Sequence, residues 1–329
     1  MLRIHFSLAD LARLRLASQP DPLWELVLSM HVLHEPSESP WLGPWRQQMI
    51  RRLRAGGAFR QDMVLPLALN PHTGYFPDFL TPLESAEGFD AGLDAVLSTP
   101  KARLAMEVEQ LAGRASRAAG LLDGIREGVP CELRRLESAL RRYHELALAP
   151  IWGRIMISFG AERAERARVL ADAGPEAMLA SLQPMCRYRD GVLELPHFRT
   201  TRDVYLDGRG LVLIPSYFKQ QHTLMALADS GLPQVLVCPL DNRIRIEAES
   251  RREPLVALLG RVRTEVLELA SSPMSVSQIA GRLGITASAA SKHLRVLSDA
   301  GLVIRRRDRN RVHHTLSTLG QSLLTGRLG

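Results

Sequence analysis

The sequence predicts an α+β protein, mainly helical, built as two domains. Three observations predict it. Apolar residues recur at helical spacing through most of the first 184 residues and again after Pro254. Between these stretches lie short β-branched or apolar runs separated by Gly and Pro. Charge is also divided unevenly: Leu255 to Gly329 holds 11 Lys+Arg against 4 Asp+Glu, a surplus of +7, while the preceding part cancels. With 329 residues the chain is long enough for two cores. The boundary is placed by these shifts, with one domain over residues 1–254 and the other over 255–329.

In the first domain, Ser7 can cap a helix through Ala17, and Pro22 can open another over Leu23 to Leu28. A Pro/Ser-rich loop (Pro36 to Pro40) precedes a helix from about Pro44 to Ala55. Asn70 to Phe79 is dense in turn formers and aromatics and reads as an ordered loop. Thr99 and Pro100 supply a cap and a first-turn proline for a helix through Ala112. Glu132 to Ala173 is helical by the spacing of Leu133, Leu136, Leu140 and Tyr143, with a break near Pro150. Beyond Pro184, Val192–Leu195, Asp203–Leu206, Leu211–Ile214 and Val235–Cys238 read as strands of a small sheet near the end of the domain. Asp190-Gly191 and Asp207-Gly208 read as turns, and the charged Arg243 to Glu253 as a connector.

Composition limits the function. The hydrophobic and charged fractions, 46% and 23%, are those of a soluble globular protein. No apolar run approaches the roughly 18 residues of a membrane span, and Met1 to His5 lacks a secretory pattern, so a cytoplasmic protein with no membrane partner is expected. Cys131, Cys186 and Cys238 are odd in number and widely spaced, which fits buried free thiols rather than a disulfide framework or a metal site. The sequence has no G-x-S-x-G, H-E-x-x-H or Cys-x-x-Cys, and no helix opens after Gly208-Arg209-Gly210 to cradle a phosphate. No enzyme, cofactor or metal is expected. His31, His34 and Glu35 are close on one helix but read as packing or surface.

The second domain carries the functional signal. One helix is expected from Pro254 to about Ser271, with Leu255, Leu258, Leu259, Val262, Val266 and Leu269 on one face. Ser275 can cap a short helix holding Val276, Ile279, Ala280 and Leu283, and Gly284 stands just past its end. Thr286 can cap the next helix, with Ala290, Leu294 and Leu297 inward. That leaves Ser288, Ala289, Ser291, Lys292, His293 and Arg295 outward, small and hydrogen-bonding side chains suited to close approach in a DNA major groove. Gly301 ends this helix, and Leu302-Val303-Ile304 begins a hairpin that returns over Val312 to Leu316. Between its strands lie Arg305, Arg306, Arg307, Asp308, Arg309, Asn310 and Arg311, a basic tip suited to phosphate or minor-groove contact. Together these elements make a winged helix-turn-helix.

Ser275 to Leu316 resembles the ArsR-type winged-helix repressors of bacteria, most specifically in Ile279–Gly284, Ser288–Leu297 and Ala300–Val303. The resemblance implies that Ser288, Ala289, Ser291, Lys292 and His293 approach DNA and that Arg309 and Arg311 hold the wing to the backbone. It also implies a homodimer on a partly palindromic double-stranded operator, acting as a repressor. The metal ligands of many such sensors are missing: Val276 to Leu283 has no Cys and Thr318 to Gly329 no Asp or His. His313 and His314, adjacent on a strand, face opposite sides. Ile4–Arg13, Pro22–Glu25, Phe76–Leu80 and Gly208–Ser216 are similar to large ArsR-like regulators of high-GC bacteria, a resemblance that names no ligand. For a small-molecule effector, Trp24, Trp45, Tyr75, Phe76 and Phe79, with Trp41, are the aromatics that can line a pocket. They serve equally as core, and the domain then docks a protein partner instead.

Overall fold

The computed structural model describes residues 1–34, 42–55, 57–72, 75–112, 119–196, 201–220, 224–226, 234–241, 254–271, 273–308 and 311–325. The loop at 36–40, Trp41, Glu35 and the connector at 243–253 lie outside them. The chain is α+β and mainly helical, and it divides into two compact units. The first is Met1–Leu148 with Arg166–Pro239; the second is Ala149–Glu165 with Leu240–Gly329. The second unit thus includes a stretch, residues 149–165, that lies well upstream of residue 255.

Among its described residues the first unit holds two four-stranded sheets, not one small sheet near its end. In one, Leu2–His5 is an inner strand, antiparallel to Val192–Leu195 and parallel to Arg202–Tyr205, with Arg187–Arg189 at the far edge. Leu2 and Ile4 alternate with Arg3 and His5, a period-two pattern only four residues long. In the other sheet, Leu211–Ser216 lies between the parallel strands Arg15–Leu16 and Gln234–Pro239, and Met225–Ala226 closes the edge antiparallel. The helix capped by Ser7 therefore stops at Ala12 rather than Ala17. Asp190 and Gly191 both have positive φ (49° and 77°), the geometry of a two-residue hairpin turn. Asp207 and Gly208 also turn the chain, but between strands of different sheets.

Helices pack around these sheets, and buried carboxylates tie loops to them. Glu25, on helix Pro22–His34, accepts hydrogen bonds from the Tyr217 N–H (2.7 Å), the Phe218 N–H (3.1 Å) and the Ser216 hydroxyl (2.9 Å). It satisfies the backbone donors just beyond strand Leu211–Ser216, which would otherwise be buried unpaired. Glu107, on helix Lys101–Ala112, likewise accepts from the Phe79 N–H (2.8 Å) and so fixes the loop that ends at Leu80. Thr99 is no cap for that helix: its hydroxyl donates back to the Ala95 carbonyl. Cys186 and Cys238 are buried free thiols, whereas Cys131 is exposed at the start of helix Pro130–Tyr143.

The aromatics Trp24, Trp45, Tyr75, Phe76 and Phe79 are all buried. Trp24 meets Phe76 edge-on at 5.8 Å, and the Trp45 indole N–H donates to the Ala147 carbonyl at 2.8 Å. A cavity of about 10 Å³ is lined by Leu23, Leu26, Val27, Met30, Pro66, Asn70, Leu80 and Leu140, and by none of these five aromatics. That is room for about one water.

In the second unit the helix expected over Pro254 to Ser271 is two helices, residues 254–259 and Arg261–Leu269. Gly260, with φ 80°, breaks it. Leu258 is consequently exposed, while Leu255, Val266 and Leu269 stay buried. The Thr264 hydroxyl holds the corner through the Leu255 and Gly260 carbonyls. Ile157, from the long helix Trp152–Ala180 (interrupted at Gly174), lies in the same apolar cluster as Leu255, Val266, Leu294 and Leu324. The domain's core thus draws on a residue roughly a hundred positions upstream.

Two outcomes are expected. Ile157→Ala should destabilise the second unit by about 2–5 kcal/mol, read from its denaturant midpoint. The second outcome concerns His31, whose Nε2 is 2.7 Å from Asn70 Oδ1. Burial lowers its pKa from 6.5 to about 4, and Lys219, His34 and His72 add to the lowering. A depressed histidine pKa favours the fold above about pH 6.5, and that advantage is lost as pH falls toward 4. Thermal midpoints should drop through this window, and His31→Gln should flatten the slope.

Candidate nucleic-acid interface

The outward helix is positioned by three local devices. Ser275 and Gln278 form a capping box at the start of helix Val276–Leu283: the Ser275 hydroxyl accepts from the Gln278 N–H, and the Gln278 side chain accepts from the Ser275 N–H. Gly284, at φ 64° and ψ 29°, takes the left-handed conformation that closes this helix, and the Ile285 N–H returns to the Ala280 carbonyl at 3.1 Å. Thr286 then caps helix Ala287–Asp299 by accepting from the Ala289 N–H. Two or three residues of turn chemistry thereby set the angle between the helices, and burial of Ala290, Leu294 and Leu297 sets the rotation of the second.

That rotation decides which side chains are presented. Ser288, Ser291, Lys292 and Arg295 are exposed and follow one another at i, i+3, i+4 and i+7, a single stripe opposite the core. Ala289 and His293 are half-buried and flank it. Arg295 lies 3.9 Å from Asp299 near the C-terminal end, so the end closest to a recognition role is the N-terminal one, with Ser288, Ser291 and Lys292. Val296, also exposed, stands beside the stripe.

The wing consists of strands Val303–Asp308 and Arg311–Leu316, antiparallel with Arg311 opposite Asp308 and Leu316 opposite Val303. Its base is tied to the helices: the Leu302 N–H donates to the Leu297 carbonyl, the Leu316 N–H to the Ala270 carbonyl and the Ser317 N–H to the Leu302 carbonyl. Met274 adds a bridge to His314 through two backbone hydrogen bonds. A one-residue bridge has no periodicity, so no sequence signal marked Met274. Arg305, Arg306 and Arg307 are exposed along the outgoing strand. Arg309 and Asn310, at the tip, lie outside the described residues, and of Arg311 only the backbone is described. His314 is buried beneath the wing and His313 only partly, in keeping with their opposite faces. Burial, with Arg305 and His313 beside it, holds the His314 imidazole below its usual pKa, so it adds no charge to the wing at neutral pH. Among the described residues no group of His, Cys, Asp or Glu is arranged to hold a metal ion.

Among the described residues Lys292, Arg305, Arg306 and Arg307 enter no ion pair, although acidic residues occur in the same unit. Four cations on one helix and one hairpin, none neutralised by the described part of the chain, are poised for a polyanion. Compared with known proteins, the family described as bacterial regulatory protein, arsR family, matches residues 263–305. Residues 263–305 are similar to the helix-turn-helix of that family. The match runs from helix Arg261–Leu269 through both capped helices to Arg305, and it supports DNA binding and transcription regulation. Most of the arginine-rich wing lies beyond it. No curated protein and no solved structure matches the chain.

The ArsR-type helix and its wing are expected to separate in mutant behaviour. Arg306→Ala and Arg307→Ala should weaken binding to all DNA sequences about equally. They should also make the fall of affinity with salt shallower, by about one unit of log–log slope for each phosphate no longer neutralised. Lys292→Ala should instead change base preference, costing on the order of 1–3 kcal/mol at the positions it reads. Fluorescence anisotropy over a salt series and a set of operator variants measures both.

Proposed function

We propose that the chain is a dimeric, cytoplasmic transcriptional repressor that recognises a partly palindromic operator, its N-terminal unit sensing a small-molecule effector. The observation that carries the DNA-binding part is the set of cations Lys292, Arg305, Arg306 and Arg307, unpaired among the described residues, on a helix and wing whose caps and core fix their direction. Ser288 and Ser291 read base edges from the exposed stripe beside Lys292; Arg305 to Arg307, with Arg309, Asn310 and Arg311 at the tip, grip the phosphates. Two copies present two such helices about one turn of DNA apart, roughly 34–36 Å, which accounts for a repeated half-site.

Sensing is proposed for the N-terminal unit because an open groove of about 360 Å³ lies on one of its sheet faces. A protein-docking role would draw on a continuous apolar patch. Among the described residues, the exposed large apolar ones of the first unit, Leu8, Val64, Leu83, Met106 and Tyr205, stand instead on separate elements.

Genome-wide footprinting of the full chain, with transcript levels in a strain lacking it, tests this reading. Protected sites with two inverted half-sites one helical turn apart, upstream of genes whose transcripts rise in the deletion, are expected. Single unpaired half-sites would remove the dimer, and falling transcripts would replace repression with activation.

A further inference from the structure

The sheet formed by Arg187–Arg189, Val192–Leu195, Leu2–His5 and Arg202–Tyr205 has one face packed and one face open. Leu2, Ile4, Leu193, Leu195 and Val204 are buried on the packed side. Strand register places two rows of side chains on the other. One row runs Arg187, Glu194, Arg3, Asp203, and the next runs Arg189, Val192, His5, Tyr205. The groove of about 360 Å³ lies over these rows, lined by Arg3, His5, Arg187, Arg189, Val192 and Glu194, with Asp190 at its end. This is within the range of roughly 300–1,000 Å³ typical of small-molecule sites.

Cross-strand alternation of charge accounts for Arg3, Glu194 and Asp203, since opposite charges on adjacent strands stabilise a sheet. It does not account for three other features. Arg187 and Arg189 stand together on the edge strand, Arg187 with no ion pair among the described residues and Arg189 with only its exposed neighbour Asp190 at 3.3 Å. Such an exposed pair is weak and easily exchanged. At the other side, His5 is held rigidly: its Nε2 lies 2.7 Å from Asp203 Oδ1, and its ring stacks on Tyr205 at 4.4 Å with 12° between the planes. Tyr205 backs only one side of that ring, so the opposite side looks across Val192 into the groove. The third feature is the Arg3 Nε, a buried donor without an acceptor, while Arg3 Nη2 is engaged by Asp203 at 2.7 Å.

We infer that this open sheet face binds a nucleoside phosphate, with its phosphates on Arg187 and Arg189, its sugar hydroxyls on Glu194 and its ring over Val192 against His5. The order of the strands carries the assignment. Adjacent strands are about 4.8 Å apart, so the paired guanidiniums, the carboxylate and the immobilised ring follow one another at intervals that match phosphate, ribose and base. Guanidinium groups take phosphate oxygens bidentately, a carboxylate accepts from vicinal hydroxyls, and a fixed aromatic ring stacks any base. Inorganic phosphate would use only the edge arginines, and a nucleoside only the other half. The inference rests on the sensing reading above only for its effect on operator binding; ligand binding is measured without DNA, so the two can fail separately.

The test is calorimetric titration of the full chain with ADP, with adenosine and with inorganic phosphate. ADP should bind at least about tenfold more tightly than either fragment, because each fragment keeps half of the contacts. Arg187→Ala combined with Arg189→Ala should weaken ADP by about tenfold or more while leaving adenosine unchanged. Tyr205→Ala, which releases His5, should weaken ADP and adenosine but not phosphate, and Tyr205→Phe should restore both. All these positions are solvent-facing, and unchanged thermal midpoints would verify that the variants fold. Lys292→Ala, in the DNA reader, should not alter ADP affinity. Absence of ADP binding, equal affinity for ADP and phosphate, or loss of ADP binding in Lys292→Ala would each overturn the assignment.

Discussion

A helix can offer one side to a ligand only if its other side is held, and in this chain the holding is done by Ala290, Leu294 and Leu297. Each is essentially inaccessible to solvent, and together with Val266, Leu267 and Ile279 they form one apolar cluster. Burying Leu294 and Leu297 is worth about 1.5–3 kcal/mol each, more than an exposed ion pair on the helix surface. The direction of Ser288, Ser291 and Lys292 is therefore a consequence of packing on the opposite face. The caps at Ser275, Gly284 and Thr286 contribute a second constraint. They satisfy helix-end backbone groups where the two helices meet, so the turn between them has one low-energy geometry. The wing inherits its place from the same core, since Leu302 and Leu316 are anchored by backbone hydrogen bonds to Leu297 and Ala270.

Charge is arranged differently in the two units. In the first, Arg103 meets Glu107, Arg141 meets Asp90 and Arg142 meets Asp62, while Arg187 on the open sheet face meets no carboxylate among the described residues. In the second, the helix and wing leave Lys292 and three consecutive arginines unanswered among the described residues. Holding like charges close together destabilises a fold in the absence of a counter-charge. On the proposed reading DNA phosphates supply that counter-charge, and release of their condensed counterions is the driving force.

The first unit depends on buried carboxylates more than on any one apolar contact. Glu25 accepts from the backbone N–H groups of Tyr217 and Phe218 just past a strand, and Glu107 from that of Phe79 in the short 3-10 helix Asp78–Leu80, which lets these segments run through the interior. This is also why the aromatics of the Asn70 to Phe79 loop fill the core. With the Phe79 N–H satisfied by Glu107, Tyr75, Phe76 and Phe79 are buried, Phe76 edge-on to Trp24. The open groove is found instead on a sheet face, where alternation keeps polar side chains in solvent.

Much of the DNA-reading unit was legible in the sequence, because its signals are local. Ser275, Gly284, Thr286 and the spacing of Ala290, Leu294 and Leu297 are all explained within a turn or two of themselves, and the structure places each in the role its chemistry implies. The strands expected at Val192–Leu195 and Leu211–Ile214 were legible for the same reason, the second running on to Ser216. What the sequence did not determine is what depends on distant partners. Leu2–His5 is an inner strand only because Val192–Leu195 and Arg202–Tyr205, some 190–200 residues away, supply its hydrogen bonds on both sides. Ile157 completes a core whose other members begin at Leu255, and Gly260 breaks a stripe that apolar spacing alone would continue. Alternating Arg3 and His5 are ordinary as sequence; strand order sets Arg3 between Glu194 and Asp203 and His5 between Val192 and Tyr205, because pairing across a sheet joins residues by register and not by their separation along the chain.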